Sequence, residues 1–532
     1  MTDSMRTTLT VSCLVSLGTI SALLGAVYAI HNTDPHHWGF ILGTALDFIQ
    51  GRSLFSDIYI QYGVAQLLLL KGLSYAMPIN YTTIGYVTAF VYAFTLVMLF
   101  VCIEKLIATI DALAVTAIAF LLHPYAIYPW PDYLAGFCLC LSCYFMLRQM
   151  PRTSTVAAAA GGLFLFLAFL FRNTYLLNLL LAIALYLPLW LLNERARSKE
   201  AGTAILVFAA LLLGYFAFLY LQGNWGYWYQ QNFGAAADQY GIGLKAIVKW
   251  LHNLFYPKDL RSGIFLGLIA VNLFLIHLLL FSAKEPTIDG RVARSGILVF
   301  IALLGACGTV QCLMFYEIFR LQNAGLPLYV GFACFVALYC PKDARHLGRI
   351  GLTFSLGVLA VALLANFYSL LGGFNNSILW PIVDHPVEGS KNASVANSRR
   401  QYSTSEAKIF TGHVFPPSVK KYYEDLSKYL CDGKSRIVNL TMDATIPYLC
   451  IGQENALNLP FYDDAMLSKI RPRDAEALRR GEFAADQVIV VDSSRAFASS
   501  AGLERIGTVW RPASIRWMEA RELNVFRVVT GR

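Results

Sequence analysis

Nothing constrains the fold of this chain more than the recurrence of apolar runs about as long as a bilayer is thick. A helix needs roughly 20 apolar residues to cross the hydrocarbon core. Stretches that reach or approach this length are Leu9 to Ile30, Thr82 to Ile103, Ala108 to Leu122, Asp132 to Leu147, Thr155 to Phe171 and Tyr175 to Leu192. Five more follow: Thr203 to Leu221, Ser262 to Ser282, Gly296 to Phe315, Ala324 to Tyr339 and Ile350 to Leu371. The spacing therefore predicts a polytopic α-helical membrane protein of about 11 spans. The first run lacks a convincing small-residue cleavage site before His31-Asn-Thr33 and reads as an anchor rather than a signal peptide.

Composition agrees. Of 532 residues, 57% are hydrophobic and 14% charged, with a mean hydropathy of +0.53. These values exclude a disordered chain, a coiled coil and a secreted disulfide scaffold. The charges are unevenly spread: residues 1–372 hold 36 charged side chains, and the last 160 residues hold 39. A membrane-embedded body (1–372) thus carries a linker (373–402) and a soluble domain (403–532). The net charge of +9 does not imply nucleic acid, because Lys and Arg here flank spans and set orientation.

Val64 to Met77, with Lys71 in its middle, is short for a span and is expected to lie along the interface. With the N-terminus inside, the inner loops then hold 13 Lys/Arg and the longer outer loops 8. Four outer segments follow: 31–81, 123–131, 222–261 and 316–323. The Arg172-Asn173 turn and the tail join them on that face. The tail reads as α/β: Arg436 to Leu440 and Gln487 to Asp492 look like buried strands, and Ser418 to Leu430 and Pro472 to Gly481 look helical. Nine of the 11 cysteines fall in or beside apolar runs as packing residues. Cys431 and Cys450, alone in the tail, are either a disulfide of a domain outside the cytoplasm or two free thiols.

Chemistry must come from the outer segments. Asp34 stands at the mouth of the first span, where a carboxylate can take a proton from an acceptor hydroxyl. Asp34-Pro35 is equally a helix start, with the Asp as cap and the proline at the first helical position. His36 and His37 point to different sides of a helix, which suits hydrogen bonding to substrate better than one shared metal. Asp57 is a second acid or a turn residue. Asp132 opens the fourth span. Arg172 lies where two apolar helices meet, and a guanidinium there needs an anion or an aqueous cavity. Glu317 and Arg320 repeat the pattern, Arg320 being a second phosphate ligand or the partner of Glu317. Asn224 to Asn232 mixes aromatics with amides, as sugar stacking or an interfacial belt requires, and Lys245, Lys249 and Lys258 nearby can attract anionic headgroups. No ligand cluster indicates a cofactor or a divalent metal.

Asp34, then Gly51-Arg-Ser-Leu-Phe-Ser-Asp57 and Tyr62-Gly63, then Pro124 to Asp132 and Arg172-Asn173, resemble the opening of the polytopic GT-C glycosyltransferases. The likeness is to protein O-mannosyltransferases and the lipid A aminoarabinose transferase. It covers roughly the first 190 residues well and the remainder in layout. It implies a glycosyltransferase of the cell membrane, in bacteria the inner membrane. A sugar would move from a polyprenyl-phosphate donor to a glycan, lipid or protein acceptor on the outer face, for the cell-envelope glycans. Asp34 then matches the catalytic acid of the first loop, Asp132 the acidic position after the second outer loop, and Arg172 the basic residue near the lipid phosphate. His37, Glu317, Tyr62, Asn173 and Arg320 are the accompanying candidates for substrate contact. Where several relatives carry Asp-Glu, this chain has Asp34-Pro35. The competing classes are a transporter or flippase of a lipid-linked saccharide, and an outer-face polysaccharide polymerase or ligase.

Overall fold

A computed structural model describes residues 3–31, 34–123, 129–148, 154–234, 247–248, 250–252, 260–282, 287–288, 291–292, 295–312, 318–339, 408–413, 415, 417–450, 454–460, 472–492, 502–513 and 518–529. Its first part is helical, as the bilayer demands: a backbone without water must satisfy its own N–H and C=O groups. The elements are α1 (Asp3–His31), α2 (His37–Ile49), α3 (Val64–Ser74), α4 (Tyr81–Glu104), α5 (Thr109–Leu122), α6 (Asp132–Leu147), α7 (Thr155–Phe171), α8 (Tyr175–Leu192) and α9 (Lys199–Leu221). They continue with the short α10 (Trp225–Tyr229), α11 (Leu260–Phe281), a two-stranded ladder of β1 (Thr287–Ile288) and β2 (Arg291–Val292), α12 (Ser295–Gly308), α13 (Ile318–Ala324) and α14 (Leu326–Tyr339).

Ten of the eleven expected runs are helices, and Ile350 to Leu371 lies outside the described residues, as does the 373–402 linker. Among the described residues, five helical stretches have the length and apolarity to cross a membrane: Tyr81–Glu104, Tyr175–Leu192, Lys199–Leu221, Ser262–Phe281 and Ser295–Cys312. The chain is a multi-pass membrane protein. The apolar helices α5, α6, α7 and α14 are shorter, 14 to 17 residues. The helix within Val64 to Met77 ends at Ser74, half-buried against α2 and α7. Helix starts are capped locally, Asn80 accepting from Thr83 N (2.8 Å) and Ser198 from Ala201 N (3.2 Å).

Neighbouring helices pack as α1 on α4, α4 on α6, α6 on α7 and α7 on α9, while α8, α11 and α14 surround α12. This arrangement gathers the expected outer segments at one end. There, residues of 34–62, 130–132, 172–174, 228–232, 320 and 442–458 touch one another. At the other end the expected inner segments meet, with Asn193 Nδ2 donating to Leu280 O (3.3 Å).

The tail begins with α15 (Pro417–Leu430) and carries a five-stranded sheet in the order β4-β3-β5-β7-β6, where β3 is Arg436–Leu440, β4 Glu454–Asn455, β5 Gln487–Asp492, β6 Leu503–Arg511 and β7 Arg521–Val528. Strands β4, β3 and β5 are parallel, and β7 joins β5 and β6 antiparallel. The central strands read as continuous apolar runs because both faces are covered. Val438, Leu440, Ile489 and Val491 pack with Leu457 on one side. Ile437, Val488 and Val490 belong to the main core that also holds α15. Helix α16 (Pro472–Arg480) completes the expected elements. Cys431 and Cys450 are joined in a disulfide, Cα atoms 5.3 Å apart.

Candidate active site

The first loop sets the site's floor. Oδ1 of Asp34 accepts the N–H groups of His36 (3.1 Å) and His37 (3.0 Å), the bonds an N-cap makes to the second and third residues of a helix. Pro35 fits the intervening position, since its missing N–H has no partner to lose there. The cap leaves Oδ2 for other work, and it lies 2.7 Å from His37 Nδ1. Asp34 is fully buried and the His37 side chain is 21% exposed. The cap and the histidine contact therefore use different oxygens of one carboxylate. The two histidines diverge, His36 Nδ1 standing 3.2 Å from Met442 O in the tail while the His37 ring faces Trp130 at 5.4 Å.

Trp130 is the hub of the cluster. The guanidinium carbon of Arg320 lies 4.8 Å from its ring centre, and that of Arg172 lies 5.4 Å away. Tyr62 stands 5.4 Å from the same ring and 4.4 Å beneath Arg172. Gln66 pins the preceding residue by donating to Pro129 O (2.8 Å). Two cations on aromatic faces are favourable, more so when dehydrated.

Arg172 is the C-cap of α7 and its Nε lies 3.4 Å from Asp132 Oδ2, both side chains buried. The distance suits an ion pair but not a close hydrogen bond. Among the described residues, both Asp132 oxygens, Arg172 Nε and Nη1, and Tyr175 Oη make no hydrogen bond. Buried polar groups are normally satisfied, so among the described residues this knot keeps hydrogen-bonding capacity to spare. The guanidinium can donate to an anion or to water, whereas the carboxylate oxygens need a donor such as water. Asn173 holds the turn: its N–H donates to Tyr62 O (3.1 Å) and its Nδ2 to Asn232 Oδ1 (2.7 Å).

The close approach of Tyr62-Gly63 to α7 needs a glycine. A Cβ on Gly63 would meet the carbonyls of Leu170 and Phe171.

The remaining candidates separate. Asp57 makes turn bonds, its Oδ2 accepting Ser53 N (3.1 Å) and its carbonyl accepting Arg52 Nη2 (2.8 Å). Glu317, Lys245, Lys249 and Lys258 lie outside the described residues, so the alternative partner of Arg320 does too.

Two features escaped the sequence reading. Arg52 donates to Asp47 Oδ2 (2.9 Å), Asp57 O, Asn455 O (3.1 Å) and Leu457 O (3.0 Å), clasping the first loop to the tail. Tyr448 Oη donates to the same Asp47 oxygen (2.9 Å), and burial pushes this carboxyl up to about 6 against the lowering effect of Arg52. The Gly39 and Gly43 pair on α2 was the legible signal. A Cβ at either would meet Thr445 or Tyr448, so small residues one turn apart mark where the tail docks. The second feature is Trp130, whose flanking prolines alone hinted at a held side chain.

Neither a protein-family model nor a curated protein matches this sequence. Among solved structures the chain is similar to the crystal structure of ArnT from Cupriavidus metallidurans bound to undecaprenyl phosphate, with a TM-score of 0.58 and 11% identity over 99% of each chain. The apo-state structure of that protein aligns at 12% identity and a TM-score of 0.49, over 97% of this chain and 99% of the other. The bundle and its tail therefore share the ArnT-like GT-C fold.

Proposed function

We propose that this chain is a membrane glycosyltransferase that moves a sugar from a polyprenyl-phosphate donor to a glycan, lipid or protein hydroxyl on the outer face of the membrane. The observation that carries the reading is the gathering of an Asp34–His37 pair and two guanidiniums, Arg172 and Arg320, around one tryptophan. An acid–base group beside a cationic, incompletely satisfied pocket is what transfer from a lipid phosphate requires. A neighbour of the same fold being bound to undecaprenyl phosphate adds support for a ligand of that class.

In the mechanism, the acceptor oxygen attacks the anomeric carbon while the bond from that carbon to the phosphate oxygen breaks. The configuration inverts. The acceptor proton passes to the Asp34–His37 pair, and the bonding electrons leave on the phosphate. Arg172 and Arg320 stabilise the charge that grows there, and Asp132 orients Arg172. The leaving phosphate carries more negative charge in the transition state than in the bound donor, so fixed cations accelerate the step more than they tighten donor binding. The positive-inside bias supports a tail and site outside the cytoplasm, in a bacterium at the inner membrane.

The test is incubation of purified protein with a panel of polyprenyl-phosphate sugars and acceptors. Release of bare polyprenyl phosphate together with a glycosylated acceptor is expected. Movement of an intact lipid-linked saccharide across proteoliposomes without release would replace this reading by a flippase.

A further inference from the structure

We propose that Gln231 and Asn232 are positioning residues of this site, the two adjacent side chains that hold the aromatic support under Arg172 in register with the first loop. The inference rests on the phosphate role of Arg172 given above and names what sets its geometry. Gln230–Gly234 forms a single π-helical turn after α10, and such turns place consecutive side chains in directions an α-helix does not offer. Gln231 reaches the first loop with both ends of its amide. Its Nε2 donates to Phe55 O (3.0 Å), and its Oε1 accepts the N–H of Ile60 (3.0 Å). Asn232 reaches the other way, accepting Asn173 Nδ2 on Oδ1 (2.7 Å) and donating from Nδ2 to Trp228 O (2.8 Å).

These bonds close a ring. From Ile60 the chain runs to Tyr62, whose carbonyl takes the N–H of Asn173 (3.1 Å). The Asn173 side chain then takes the path to Asn232, and Gln231 returns it to Ile60. Arg172 precedes Asn173 in the chain and lies over the Tyr62 ring that the loop displays. The ring of bonds thus ties together the loop that carries the aromatic and the turn that carries the guanidinium. Its far anchor is strained: Phe55 has φ +68°, outside the usual range for a residue with a side chain, yet it is buried. A backbone held this way persists only when its surroundings over-determine it, and Gln231 grips its carbonyl. The end of the aromatic and amide segment Asn224 to Asn232 is therefore a strut, with the amides of Gln231 and Asn232 bonded to the first loop and the Asn173 turn.

The experiment compares Asn232→Ala, Asn232→Asp, Asn173→Ala and the Asn173→Ala/Asn232→Ala double variant in the purified full chain, with Arg172→Ala alongside. The readouts are undecaprenyl phosphate affinity, the KM for a polyprenyl-phosphate sugar, kcat and Tm. Asn232→Ala is expected to weaken undecaprenyl phosphate affinity by about tenfold and to lower kcat/KM by a similar factor, mostly through kcat, the effect of one well-placed hydrogen bond, with little change in Tm. Asn232→Asp keeps the acceptor for Asn173 and is expected to retain most of the affinity. The double variant should be no worse than either single one, because both remove the same link. Additive losses, an unchanged affinity in Asn232→Ala, or a loss that only tracks Tm would overturn the inference. If Asn232→Ala does not fold, Asn232→Ser against Asn232→Asp gives the same comparison. Lipid affinity unaltered in Arg172→Ala would defeat the phosphate reading itself. Loss there with none in Asn232→Ala defeats only the strut.

Discussion

Nδ1 of His37 lies 2.7 Å from Oδ2 of Asp34, while the other oxygen of that carboxylate caps the helix on which His37 sits. The proposed base and its partner are thereby locked at one helix start, and the cap can be separated from the proposed base role by mutation. Asn caps about as well as Asp. Asp34→Asn should leave thermal unfolding nearly unchanged while transfer falls by about 10²- to 10⁴-fold, the usual contribution of a general base. Transfer at the wild-type rate in a folded Asp34→Asn protein would remove the residue from the chemistry.

Arg172 and Asp132 make the opposite case, because removing one buried charge strands the other. Arg172→Gln is expected to destabilise the protein by about 3–5 kcal/mol. Adding Asp132→Asn should restore most of that stability, since no lone charge remains, yet not transfer. Thermal unfolding in detergent and the product assay read the two effects separately. A double variant that recovers both would assign the pair to structure alone.

Asp47 gives a pH dependence of known sign. Its carboxyl titrates at about 6 in the folded protein against 3.8 for an ordinary one, so the folded state holds its proton longer than the unfolded state. The stability this contributes is fully present below about 4 and is lost as pH rises through about 6, roughly 3 kcal/mol in all. Asp47→Asn cannot titrate. The decline in Tm between pH 4 and 7 should therefore be shallower in Asp47→Asn than in wild type, and parallel curves would refute the assignment.

The Cys431–Cys450 bridge closes a short loop that contains Met442, Thr445 and Tyr448, the residues that meet His36, Tyr81 and Asp47. Replacing both cysteines by serine should cost roughly 3 kcal/mol through the freed unfolded chain. Intact-mass measurement under non-reducing conditions checks the bridge in protein from native membranes. Two free thiols there would contradict an outer location for the tail.

The helices were legible where one physical requirement dominated. Asp132 to Leu147, Thr155 to Phe171 and Tyr175 to Leu192 have the same ends in sequence and structure, because apolarity, a cap or a polar turn marks each boundary. The strands of the tail were legible as continuous apolar runs for the same reason, being covered on both faces. Asp57 was ambiguous because an aspartate suits a turn and an active site equally, and the turn bond it makes to Ser53 N is one that only the structure shows.

The pairing of distant segments was not legible. Hydropathy and charge determined that this chain crosses a membrane many times, which segments share a side, and that Asp34, Asp132 and Arg172 belong to the same end. Those properties are local and sum along the chain. That Trp130 gathers two arginines, that Arg52 and Tyr448 share Asp47 across 400 residues, and that Gln231 and Asn232 bridge two loops are decided by three-dimensional packing. A hydrogen bond or cation–aromatic contact depends on distance and angle within a few tenths of an ångström, and no periodicity in a sequence encodes that.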